Sequence, residues 1–259
     1  MSHLRARCPD CRTLTAVALG PEYECHACGR TFGAGLLRVP RAWGSGGDAM
    51  AEAAHLSLPY PEVGVADEPT LTEQTLAIAA ALPERPLVVG GCCCAHVGAV
   101  EGLAARNGPL GVVWFDAHGD LNTPQTSPSG NPWGMPLRML LDSETVASAN
   151  AALVGARNLD PPEREFIAAS GVRTGLEEID AALEGVESAY VAFDFDVLDP
   201  AEEADSFMPE PGGLMLAEAE RALARIAAHR RVAGAGFTAF TRSDRNAAAI
   251  ARLASALGF

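Results

Sequence analysis

Lysine is missing from this chain: all 19 basic residues among its 259 are arginine, a bias that carries no functional reading. Long apolar runs are missing as well. No stretch approaches the roughly 20 residues of a membrane-crossing helix, which excludes a helical span. The opening residues, MSHLRARCPDC, have no hydrophobic segment of the secretory kind. A soluble, cytoplasmic protein is the expectation. Positive charge is scarce, with a formal net charge of −14. Residues 1–44 carry six arginines against three acids, a net of +3, so the remainder stands at −17. Such a surface argues against nucleic-acid binding by the main body. Internal repeats and low-complexity tracts are absent too. What is present is ample apolar material, 48% of residues, enough for one large core with a small appendage.

The seven cysteines fall into two sets. An odd count without a secretion signal points to thiols and metal chemistry rather than a disulfide framework. Cys8, Cys11, Cys25 and Cys28 read C-x2-C-x13-C-x2-C, with Pro9 inside one knuckle and Gly29 just after the other. Two such knuckles complete a tetrahedral shell of four thiolates, so residues 1–40 are expected to form a structural zinc ribbon. Paired redox CxxC motifs are the alternative, without the βαβ pattern that normally surrounds them. A closed shell leaves no open coordination position, so no catalysis is assigned here, and His26 is expected on the surface. The second set is Cys92, Cys93 and Cys94.

The Gly/Ser-rich stretch 41–50, RAWGSGGDAM, reads as a linker. Over 51–259 apolar β-type runs (86–91, 111–117, 151–156, 189–197, 232–240) alternate with helical patterns (70–82, 96–107, 162–170, 216–229, 245–257). Thr70 and Glu73 can form a capping box. The alternation implies a three-layer α/β/α domain around a parallel sheet covered on both faces. In such sheets ligands bind beyond the carboxyl ends of the strands, and every polar cluster here falls there.

The stretch GVVWFDAHGDLNTP (111–124) places Asp116, His118 and Asp120 at every second position after an apolar run, on one side of a strand by parity. VAFDFDVLDP repeats the theme with Asp194 and Asp196. Singly, either could be a solvated loop. Together, four carboxylates and an imidazole at one sheet edge repel each other unless cations neutralise them. This donor mixture suits Mn²⁺, Fe²⁺ or Zn²⁺, and two metals bridged by shared carboxylates explain the number of acids.

Four stretches, VVGGCCC (88–94), WFDAHGDLNTPQTSPSGNPWGMP (114–136), LVGARNLDPPE (153–163) and FDFDVLDP (193–200), resemble in order the arginase/agmatinase/formiminoglutamase ureohydrolases. The resemblance implies an eight-stranded parallel sheet and a binuclear manganese site whose bridging hydroxide attacks a guanidinium or amidine carbon. By position, Asp116 and Asp194 would bridge the metals. Asp120 would bind one and accept a hydrogen bond from the hydroxide, and His118 and Asp196 would bind the other. Asn122, Ser127 and Ser129 match residues that grip a substrate carboxylate, and Asp160 one that receives its α-amino group. Ser129 and Asn131 are equally ordinary turn residues, and Asp160 before Pro161 an ordinary helix cap. The resemblance further suggests a homo-oligomer, trimeric or hexameric, acting on a small molecule.

Three departures stand out. Where the family has Gly-Gly-Asp-His, this chain has Gly90-Gly91-Cys92-Cys93. Cys93 therefore occupies a ligand position, where a thiolate favours Zn²⁺ or Fe²⁺, or else remains a buried thiol beside a weak or vacant site. His96 is a weaker replacement ligand. Trp133 matches the proton-shuttling histidine of arginases; its indole N–H only donates, so it serves as a wall or stacking surface for substrate, or simply packs. The acid that pairs with the substrate guanidinium falls near Ala239 and is absent; Glu210 either replaces its charge or is a solvated loop acid. An unpaired guanidinium in a dry site is costly.

The leading expectation is a metal-dependent hydrolase of a linear C–N bond in a guanidine, amidine or amide, working by metal-hydroxide attack and distinct from an ordinary arginase. Its rivals are a mononuclear variant in the style of the zinc deacylases that share this fold, and a catalytically silent metal-binding protein whose ribbon docks a partner.

Overall fold

A computed structural model of the chain describes residues 5, 6, 8, 10, 11, 13–19, 22–201 and 204–259; Pro9 lies outside the described residues. The strands are β1 (Arg5–Ala6), β2 (Ala16–Leu19), β3 (Glu22–Cys25), β4 (Thr31–Val39), β5 (Glu62–Val65), β6 (Arg85–Gly90), β7 (Leu110–Phe115), β8 (Ala151–Val154), β9 (Arg173–Thr174), β10 (Ser188–Asp194) and β11 (Arg231–Thr238). The α-helices are α1 (Gly47–Ala53), α2 (Leu71–Ala81), α3 (Ala95–Asn107), α4 (Pro136–Asp142), α5 (Pro161–Ser170), α6 (Ile179–Ala182), α7 (Leu216–His229) and α8 (Asp244–Ala256).

From β4 and β5 onward the strands run parallel, in the order β5-β4-β6-β11-β10-β7-β8-β9. Alternating side chains divide the interior in two, because successive residues of a strand face opposite sides. Leu87, Val89, Val113, Phe115, Val191 and Phe193 point to the face covered by α1, α6, α7 and α8. Val88, Val112, Trp114, Tyr190 and Ala192 point to the face covered by α2, α3 and α4. This is the parallel α/β/α architecture expected from the continuous apolar runs. The Thr70 hydroxyl caps α2, accepting from Glu73 N–H at 3.2 Å. The reciprocal bond differs from the capping box: the Thr70 hydroxyl itself donates to Glu73 Oε2 at 2.7 Å.

Two features depart from the sequence reading. The N-terminal antiparallel strands β1–β3 join the same sheet through β4, whose residues 31–33 pair with β3 while residues 34–39 pair with β6. One strand thus belongs to both units, because its two edges accept different partners along its length. The stretch 41–50 is also more than a linker: helix α1 starts at Gly47 and Met50 is buried. Among the described residues no helix is long and apolar enough to cross a membrane.

Candidate metal centre

Strands β6, β11, β10 and β7 lie side by side, and their registers put Val89, Phe237, Phe193 and Phe115 in one row, so that Gly90, Thr238, Asp194 and Asp116 come next in each chain at the carboxyl ends. Topology thus gathers what the sequence separates. The spacing-by-two of the acids has a different cause from strand parity, since β7 stops at Phe115 and β10 at Asp194. Asp116 Oδ1 accepts from His118 N–H at 2.6 Å, and Asp194 Oδ1 from Asp196 N–H at 2.9 Å. Each is an Asx-type turn in which a carboxylate holds the backbone two residues on. Asp120 follows in the left-handed region, φ 51°, a conformation that aspartate tolerates better than most residues.

Ligand atoms of Cys93, Asp116 and Asp120 lie within 4.8 Å of one another, as do those of Asp116, His118 and Asp196. Asp116 is common to both triads. Its Oδ2 accepts from Trp114 Nε1 at 3.1 Å. His118 Nδ1 is 2.8 Å from Asp196 Oδ2, whose Oδ1 accepts from Ala117 N–H at 2.9 Å. Asp194 Oδ2 accepts from the Cys93 thiol at 2.9 Å, and Thr238 Oγ1 is 3.2 Å from the same sulfur.

The cluster is electrostatically unbalanced as it stands. Burial lifts the carboxyls of Asp120 and Asp194 well above the carboxylate range, and neighbouring aspartates lift them further. Asp196 is raised to about 6, first by burial and then by Asp116. Burial opposes a charge on His118, yet Asp116 and Asp196 outweigh it and push its pKa up to about 12. Asp120 Oδ2 and His118 Nε2 are buried without a hydrogen-bond partner. Crowded acids with orphaned donor atoms fit divalent cations, which would supply the missing charge and reverse these shifts.

The remaining candidates separate. Trp133 lines the cavity over the cluster, together with Ala239. Asn122, Ser127, Ser129 and Asp160 are not among its lining residues. Asn122 is buried, donating to Asp160 Oδ2 at 2.8 Å and accepting from Thr126 at 3.0 Å. Ser127 and Ser129 hydroxyls lie 3.3 Å apart in a turn. Asp160 caps α5, its N–H donating to Glu163 Oε2 at 2.9 Å. Glu210 is held by Asn158 Nδ2 at 2.8 Å, and its Oε1 stands 3.6 Å from His118 Nε2, so it meets the cluster at His118. His96 is fully buried, with Nδ1 3.0 Å from the Tyr190 hydroxyl and Nε2 3.2 Å from Thr238. It is a core histidine whose pKa burial lowers to about 3, and it belongs to neither triad. At the N-terminal unit all four cysteine sulfurs lie within 4.8 Å of one another, and His26 is exposed.

Sequence reasoning missed Thr238, Trp114 and Glu163. Thr238 enters only through strand register. Glu163, whose Oε1 accepts from Leu121 N–H at 3.0 Å, ties the Asp120 loop to the start of α5; its only signal was its place in LVGARNLDPPE.

The model of the Arginase family matches residues 50–257. The chain belongs to the arginase family. Arginase from Staphylococcus aureus (strain COL) is 37% identical over 163 residues, 53% of this chain and 54% of that protein. Arginase from Bacillus caldovelox is 34% identical over 178 residues, 59% of this chain and 60% of that protein. The chain thus spans about half the length of the curated relatives it matches. In three dimensions it superposes on the native arginase from Bacillus caldovelox with a TM-score of 0.76 at 25% identity, covering 87% of this chain and 98% of that one. Formimidoylglutamase from Bacillus subtilis shares the fold, with a TM-score of 0.72 at 20% identity and coverage of 87% and 86%. The arginase-family match begins after the four-cysteine unit.

Proposed function

We propose that this arginase-family chain hydrolyses a linear C–N bond in a guanidino, amidino or amide compound, with a substrate other than arginine. The observation that carries this is the pair of triads sharing Asp116 at the carboxyl ends of neighbouring parallel strands. Cys93, Asp116 and Asp120 would hold one divalent cation and Asp116, His118 and Asp196 the other, with Asp194 between them. Cations held there supply Lewis acidity and bring the pKa of a water down to about 7. Asp120, whose Oδ2 has no hydrogen-bond partner, would also accept a hydrogen bond from the attacking hydroxide. Glu210, beside His118, supplies negative charge at the rim of the site. The case against arginine is that Ala239 offers no carboxylate to a guanidinium and Trp133 no proton-transferring ring. Asn122, Ser127, Ser129 and Asp160 are assigned to the outer part of the substrate, with Trp133 as a wall. Cys8, Cys11, Cys25 and Cys28 hold one structural zinc, and the assembly is a trimer or hexamer.

A second reading has one observation in its favour. Burial, then the surrounding aspartates, raise the Cys93 thiol well above its usual range, and it donates to Asp194. A thiol that keeps its proton leaves a mononuclear site on Asp116, His118 and Asp196. Elemental analysis of the purified chain decides between them. One zinc for the four-cysteine unit plus two further metal ions, one of them lost in Cys93→Ala, supports the binuclear site. One further ion, retained in Cys93→Ala, supports the mononuclear one. Ribbon zinc alone, together with no turnover on guanidino and amide compounds supplied with Mn²⁺, Fe²⁺ or Zn²⁺, would refute both.

A further inference from the structure

The metal cluster is covered by side chains that play no part in holding a cation. Met50, Trp133, Phe207 and Met208 line the cavity opposite the acids, and only about 20 Å³ remains for the centre of a water-sized sphere, room for about one water. Any substrate with a linear C–N bond is larger, so part of this covering must move. The glycine-rich stretch 42–50 packs on it. At Gly44 (φ 102°) a Cβ would lie 2.6 Å from Asn131 Oδ1 and 3.0 Å from Trp133 Nε1; at Gly46 (φ 78°) it would lie 2.4 Å from the Phe207 ring. Ser45 N–H donates to Asn131 Oδ1 at 2.9 Å. Upstream, Val39 at the end of β4 accepts from Gly91 N–H at 3.0 Å; downstream, α1 buries Met50. The stretch is therefore held at both ends and exposed between them at residues 44–46. Within the stretch the indole nitrogen of Trp43, and beneath it that of Trp133 on the cavity wall, are buried with no hydrogen-bond partner. A buried indole N–H normally finds an acceptor, and leaving it without one disfavours the closed arrangement.

We propose that residues 42–50 are a lid over the metal centre, and that under it the Trp133 indole N–H forms a subsite for an acceptor oxygen of the substrate, a carbonyl or a carboxylate. That the occupant is a substrate rests on the hydrolase reading; the motion and the subsite are properties of the folded chain. An oxygen there completes the unpaired Trp133 donor when the lid is shut, whereas a guanidinium, which only donates, does not.

Hydrogen–deuterium exchange on the full Mn²⁺-loaded chain tests this, with acetate as the probe and guanidinium as its counterpart. Amides of 43–49 are expected to exchange at least about tenfold faster than those of α3, and to slow several-fold in acetate but not in guanidinium. Trp133→Phe should abolish the acetate effect with metal content unchanged. Gly46→Val, which drives a side chain into Phe207, should speed exchange of 43–49 further. Exchange of 43–49 as slow as α3 would overturn the lid, and equal protection by acetate in Trp133→Phe would overturn the subsite by placing acetate on the metal alone. Absence of turnover on every C–N substrate would instead count against the hydrolase reading and leave these exchange rates as they are.

Discussion

At the N-terminal unit four thiols converge on two turns, backed by a core of seven buried residues that includes two of the thiols themselves, Cys8 and Cys25. At the carboxyl edge of the sheet the ligand set is mixed, almost wholly buried, and supported by two extensive cores, one on each face. The first arrangement closes around its centre. The second leaves Asp120 Oδ2 and His118 Nε2 without partners and faces a cavity. The contrast separates what a metal ion would do in each place. A small unit with little apolar surface depends on its ion to fold. A packed parallel sheet folds around a site that is electrostatically unfavourable until the ion arrives, which is the condition under which buried acids serve chemistry rather than stability.

The greatest loss should come from opening the closed unit. Structural zinc contributes on the order of 10 kcal/mol to small domains of this kind, far more than the stacked Tyr23–Phe32 pair, 5.6 Å between ring centroids, can replace. Cys25→Ser is therefore expected to release the zinc of the four-cysteine unit and abolish hydrogen-exchange protection over β2 and β3. Strands β6, β7, β10 and β11, and the metal held at their ends, should be unaffected. Loss of metal at the sheet edge in the same variant would mean that β4 transmits the damage and that the two regions are not independent.

Next in size is Asp116→Asn, which removes the residue common to both triads. Metal content at the sheet edge should fall to near zero and turnover should be lost with it, while the metal-free chain stays folded with a modest loss of stability, since the Asp116 carboxylate accepts from Trp114 Nε1 and His118 N–H. A metal-free chain that unfolds in this variant would make the acids structural and erase the contrast.

Much of the fold was legible because its signals are local. Continuous apolar runs marked β6, β7, β8, β10 and β11 to within a few residues, and helical periodicity marked α2, α3, α5, α7 and α8. Strand β4 escaped because TFGAGLLRV follows directly on the cysteine knuckles and carries two glycines, while β5 and β9 are short and partly exposed. The acids of the site were legible from their clustering after apolar runs. What stayed hidden was whatever depends on register or on distant packing. Thr238 reaches Cys93 only because β11 lies between β6 and β10. The covering by 42–50 depends on glycines whose role appears once Trp133 and Phe207 are beneath them.

Two histidines carry the same contrast down to single side chains. His118 sits among carboxylates that raise its pKa; His96 sits against Trp114 and Tyr190, ring centroids 5.1 and 5.8 Å away, where burial lowers its pKa to about 3. In the unfolded chain His96 titrates near its ordinary 6.5. Between these values the unfolded state binds a proton that the folded state refuses, so stability falls as pH drops from about 6.5 toward 3, by about 1.4 kcal/mol per pH unit for this one group. Above 6.5 the group is neutral in both states and contributes no slope. His96→Gln keeps polar atoms near Tyr190 and Thr238 but cannot titrate. Denaturant titrations of the metal-free chain at pH 5 and 6 should show a shallower loss of stability in this variant than in the parent. Equal slopes would mean that His96 takes up its proton within the fold, and that the sheet tolerates charge on the α3 side as readily as at the acids.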